Sequence, residues 1–125
     1  MTSPSRASAC RGLANGFLAT GDFSRAADCA QRAVDIDPES MRARLLLARA
    51  LVALRRVPDA KRAVDRVLAR EPGNPAAVYL LGRVLEQQGN LKGAAEAFRA
   101  YVAREPATFK AIKLMQRFPT LKEAS

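Results

Sequence analysis

At 125 residues and 49% hydrophobic content, the chain has the size and the apolar material of one domain, and no apolar run nears the roughly 20 residues that cross a membrane. With no histidine and only two cysteines it cannot build an ordinary tetrahedral zinc site alone. It also carries neither a glycine-rich phosphate loop nor a nucleophile motif, so no metal, no cofactor and no enzymatic activity are expected. The net charge of +9 is uneven: residues 1–40 carry −1, 41–74 carry +6, 75–106 carry +1 and 107–125 carry +3, which favours an acidic partner over a basic one.

In chain order, residues 1–6, with Ser3-Pro4-Ser5, read as a disordered lead-in without the continuous apolar stretch of a signal peptide, and the protein is expected to be cytoplasmic. From there the sequence keeps time. Pro38, Pro72 and Pro106 stand 34 residues apart, each after an acid: Asp37, Glu71 and Glu105. Stacked in that frame, Leu13, Leu47 and Leu81 share a column; Ala14, Ala48 and Gly82 follow, all small; then Phe17, Leu51 and Leu85. Their i, i+1, i+4 spacing draws one stripe on a first helix. Ala26, Ala30 and Ala33, with Ala60, Val64 and Val67 and then Ala94, Phe98 and Tyr101, draw a second stripe at i, i+4, i+7. Gly21-Asp22 and Gly89-Asn90 supply turn chemistry between the two helices, where the middle row has Arg55-Arg56.

The expected organisation is three helix pairs at 7–40, 41–74 and 75–106, a capping helix at 107–118 and a flexible tail at 119–125. Ile112 and Met115 are expected to cover the open end of the core. Glycines at 12 and 16 and the small Cys10 mark the first pair as the least stable. Cys10 and Cys29 read as half-buried thiols, able to form a disulfide only if their Cα atoms come within about 7 Å.

These columns resemble the tetratricopeptide repeat family. The third row is nearest to its motif, with Leu81-Gly82, Leu85, Gly89-Asn90, Ala94, Phe98, Tyr101 and Pro106; the first row departs from it at Cys10 and Ala30, the second at Arg55-Arg56. The resemblance implies an all-α, right-handed solenoid whose first helices line a concave face that holds a peptide or a partner's helix. Carried over by register, that face would be lined by Arg11, Asn15, Arg42, Leu45, Arg49, Tyr79, Arg83, Lys110, Lys113 and Arg117, with Ser8, Leu18, Val52 and Ala76 beside them and Glu86 as the one acid. The family's site for a C-terminal carboxylate uses a Lys/Asn pair, a second Asn and a Lys/Arg pair. Arg11 and Asn15 resemble the first pair, but Leu46, Ala76 and Leu80 stand at the other positions, so that site is not expected here.

The function expected is a binding module or adaptor that takes an acidic protein segment with an apolar anchor. An alternative is electrostatic association with nucleic acid or another polyanion along Arg62, Arg66 and Arg70, an i, i+4, i+8 stripe near Arg55 and Arg56 that has no interleaved aromatic residues. A structural role through self-association at the exposed solenoid end is the third.

Overall fold

The computed structural model describes residues 4–119. Seven helices follow one another: α1 (Pro4–Thr20), α2 (Phe23–Ile36), α3 (Met41–Ala53), α4 (Val57–Arg70), α5 (Pro75–Gln87), α6 (Leu91–Arg104) and α7 (Phe109–Arg117), with no strand among the described residues. Each helix packs on its neighbours in sequence, and the odd-numbered helices also touch one another, α1 against α3 and α3 against α5. This is an all-α helical repeat solenoid, in which each unit buries its apolar face on the next.

The 34-residue clock is visible in the helix ends. Ser40, Asn74 and Thr108 each accept a hydrogen bond from a backbone N–H three residues on, at 3.1 Å, and so start α3, α5 and α7. Asp22 and Asn90 do the same for α2 and α6, at 3.2 and 2.9 Å. The equivalent residue before α4, Arg56, offers no side-chain cap. Gly21 and Gly89 take φ of 84° and 80°, and Arg55 takes the same left-handed turn at 58°. A side chain there is strained by about 1 kcal/mol, so the middle turn gives up both stabilising devices that its two counterparts keep.

The second-helix stripes lie in the core as expected: Ala26, Ala30, Ala33, Ala60, Val64, Val67, Ala94, Phe98 and Tyr101 are all buried. Three expectations need correction. Leu13 is 55% exposed, whereas Leu47, one period later, is buried. That column of a first helix is covered by the preceding helix pair, and none precedes α1 among the described residues. At the other end Ile112 is 44% exposed and the covering is done by Ala111 and Leu114, with Met115 and Phe118 packed beside them. Ile112 lies about 100° round the helix from Ala111, on a side that no following helix among the described residues reaches. The lead-in is shorter than expected, because Pro4 already opens α1, a position that suits proline; residues 1–3 lie outside the described residues. Pro119 follows α7, and the remaining tail at 120–125 also lies outside them. Cys10 and Cys29 are half-buried free thiols.

Candidate functional site

The face formed by α1, α3, α5 and α7 holds two clefts that collect most of the residues expected to bind. The first, ≈ 310 Å³, is lined by Arg49, Tyr79, Arg83 and Lys110, from three different helices. Register explains this convergence: Arg49 and Arg83 are one period apart, Tyr79 sits one turn before Arg83, and Lys110 enters from α7. Its floor is apolar, built by Leu18, Phe23, Val52, Ala53, Ala76 and Leu80. The second cleft, ≈ 410 Å³, brings together Ser8, Arg11, Asn15, Arg42 and Leu46 between α1 and α3.

The electrostatics of the first cleft are one-sided. No acid lines it, and neither Arg49, Arg83 nor Lys110 makes an ion pair with a described residue. The Lys110 ammonium lies 4.8 Å from the centroid of the Tyr79 ring, within range of a cation–π attraction. Burial pushes its pKa below the usual lysine value, and the positive charges of Arg49 and Arg83 push it further the same way. Three cations are thus held near one another in a cleft that no acid among the described residues lines. The Tyr79 ring is itself fixed by tilted contacts with Phe98, at 5.9 Å, and Tyr101, at 5.3 Å, so the cleft's aromatic wall is anchored in the core.

Other expected residues lie elsewhere. Arg117 pairs with Glu86, in a cleft of ≈ 320 Å³ shared with Arg55, Arg83 and Gln87, so the one acid of this face is matched within the chain. Lys113 turns its ammonium over Phe109, 5.4 Å from the ring centroid. Leu45 is half-buried against the core cluster and lines neither of the two main clefts. The apolar surface expected from Leu45 is supplied instead by Leu18, Phe23, Val52, Ala53, Ala76 and Leu80. Of these, Phe23 and Ala53 belong to the turn-side ends of their helices, which the first-helix columns did not include.

A wider cleft of ≈ 470 Å³ lies between α2, α3 and α4, with Arg44, Arg56, Arg62 and Arg66 on its walls. It is the weaker candidate, because Asp28 and Asp59 line it too and Asp59 pairs with Arg62. Along the same stripe Arg70 pairs with Glu39, and beside it on α4 Lys61 pairs with Asp65 at 2.8 Å. Two of the three stripe arginines, Arg62 and Arg70, are therefore matched inside the chain, unlike the cations of the Tyr79 cleft.

Two family models described as tetratricopeptide repeat match the sequence, one over residues 45–107 and one over residues 17–72. The chain belongs to the tetratricopeptide repeat family. A search of curated proteins finds no match to it. Among solved structures, the first tetratricopeptide repeat domain of human RPAP3 superposes with a TM-score of 0.81 at 19% identity, over 98% of this chain and 96% of that one. The first such domain of Spaghetti (RPAP3), bound to the HSP90 peptide SRMEEVD, gives 0.79 at 19%, over 98% and 94%. PcrH, in complex with the chaperone binding region of PopB, gives 0.76 at 18%, over 95% and 96%. At these identities the likeness establishes the repeat fold. Within that fold the carboxylate-site positions of this tetratricopeptide chain fall in different places: Arg11, Asn15 and Leu46 share the second cleft, while Ala76 and Leu80 lie on the apolar floor of the first.

Proposed function

We propose that this tetratricopeptide repeat protein is an interaction module that docks an acidic segment of another protein, with an apolar side chain as anchor, along the face of α1, α3, α5 and α7. The observation that carries the reading is the unmatched convergence of Arg49, Arg83 and Lys110 around Tyr79, above an apolar floor. Cations that no described residue neutralises are available to a partner, and a floor of Leu18, Val52 and Leu80 rewards an apolar side chain. Structural relatives with this fold are seen with peptide or protein segments bound, SRMEEVD in Spaghetti and a region of PopB in PcrH. Here Leu46, Ala76 and Leu80 replace the family's carboxylate ligands, so the segment is read as internal acidic chain rather than a C-terminus.

Magnitudes say what each part contributes. Exposed ion pairs add roughly 0.2–1 kcal/mol each, and a micromolar complex needs about 8 kcal/mol. The cations alone fall short; they set orientation and preference for acids, and burial against Tyr79 and the floor supplies the rest.

The test is a fluorescence-polarisation titration of an acidic, leucine-containing peptide against wild type, Arg49→Glu/Arg83→Glu and Tyr79→Ala. Both variants should weaken binding about tenfold or more. Unchanged affinity in Tyr79→Ala would sink the reading. So would equal binding of any polyanion with the steep salt dependence of phosphate tracking.

A further inference from the structure

We infer that the Tyr79 cleft is a subsite for a phosphorylated side chain, a phosphoserine or phosphothreonine on the docked segment, rather than for a single carboxylate. This rests on the docking reading above and narrows its ligand. Arg49 comes from α3, Arg83 from α5 and Lys110 from α7, and all three line one cleft of ≈ 310 Å³ that no acid shares. A carboxylate offers two oxygens and one charge. A phosphoryl group offers three terminal oxygens and ≈ −1.5 to −2 charge at neutral pH, so each of three converging donors can have an oxygen of its own, and the two guanidinium forks suit such oxygens.

The cleft's own state points the same way. Lys110 lies beside two like charges, Arg49 and Arg83, and partial desolvation and their repulsion loosen its proton. An unliganded protein gains nothing from that repulsion, whereas a doubly charged group placed among the three cations removes it. Arg11, Asn15 and Arg42, in the neighbouring cleft, remain for a second acidic residue of the same segment. The outer-face cleft is a poorer place for such a group, since Asp28 and Asp59 line it and Asp59 pairs with Arg62.

The experiment compares three probe peptides that differ at one position, Glu-Leu-Ser-Leu-Glu, its glutamate counterpart and its phosphoserine counterpart, titrated into the whole chain by fluorescence polarisation. The phosphopeptide should bind at least about tenfold tighter than the glutamate peptide, and Arg83→Gln and Lys110→Gln should each erase most of that advantage while thermal melting shows the variants folded. Side-chain NMR signals of Arg49, Arg83 and Lys110 should move with the phosphopeptide. If the glutamate peptide binds as tightly as the phosphopeptide and both are lost in Arg49→Glu/Arg83→Glu, the phosphoryl assignment falls and the acidic-segment reading stands. If no peptide binds, or binding ignores these substitutions, both fall. Complete displacement by inorganic phosphate at an equal concentration would show a free-anion site and also overturn the proposal.

Discussion

The first and third helix pairs solve the same packing problem with different volumes. In the first, Ala14 on α1 and Ala30 on α2 occupy columns that Gly82 and Phe98 fill in the third, and the middle pair uses Ala48 and Val64. All six positions are buried. As the second-helix residue grows from Ala to Val to Phe, the first-helix residue ends as glycine, because a Cβ at Gly82 would strike the Phe98 ring. The third pair thereby gains a large buried ring, stacked on Phe118 at 5.8 Å, while the first relies on alanines. Close approach of two helices can be bought by small residues on both sides or by one glycine facing one ring, and only the second choice buries much apolar area. The same ring then props Tyr79, so the better-packed end of the stack is also the end that builds the candidate site.

That contrast can be broken in several ways. The largest effect should come from Phe98→Ala, which should cost about 3–5 kcal/mol in urea denaturation, whereas Ala30→Gly should cost about 1 kcal/mol. Comparable losses would erase the distinction between the two ends. Next, Gly82→Ala should destabilise by about 1–3 kcal/mol through overpacking, and a Phe98→Leu background should recover part of the loss.

Gly12→Ala and Gly16→Ala carry the opposite sign. Nothing lies within 4 Å of a Cβ at either position, so each should stabilise by about 1 kcal/mol. Hydrogen exchange in the wild type should be faster over 7–36 than over 75–104, and equal protection would count against the weak first pair. Arg55→Gly should add about 1 kcal/mol by removing left-handed strain; a loss would mean that the Arg55 side chain supports the cleft it shares with Arg83 and Arg117.

The smallest effect is a pH dependence. Burial, then Arg49, then Arg83 lower the Lys110 pKa from 10.5, so the folded state holds this proton less tightly than the unfolded chain does. The resulting handicap is fully present at neutral pH and fades as pH rises through the folded pKa toward the unfolded one. Wild type should therefore gain stability relative to Lys110→Met over that alkaline window. The groups facing Lys110 from the packed helices are Arg49, Arg83 and Tyr79. Ligand binding should weaken over the same window, since an anion favours the protonated lysine.

Much of this was legible in the chain itself. The columns at Ala26, Ala30 and Ala33 and their successors are in the core, and the turn residues Gly21 and Gly89 take the positive φ their type suggests. Register also gathered Arg49, Tyr79, Arg83 and Lys110 in one cleft, and Arg11, Asn15 and Arg42 in another. What register missed lies where the period ends. Leu13 and Ile112 have the right spacing for burial, but among the described residues no neighbouring pair covers them. Leu45 packs inward and Lys113 turns to Phe109, because rotation about a helix axis is fixed by contacts rather than by spacing. Phe23 entered the cleft from the start of a second helix, a position that no first-helix column marks.

The sequence by itself determined the repeat, because a 34-residue recurrence of small, large and turn residues permits only stacked helix pairs to bury every stripe. Only the tertiary structure decided which of the many cations are left unmatched. Arg117 on α7 finds Glu86 on α5, and Arg70 at the end of α4 finds Glu39 in the turn before α3; such pairings depend on which side chains the stacked helices bring within reach, which an apolar period does not specify.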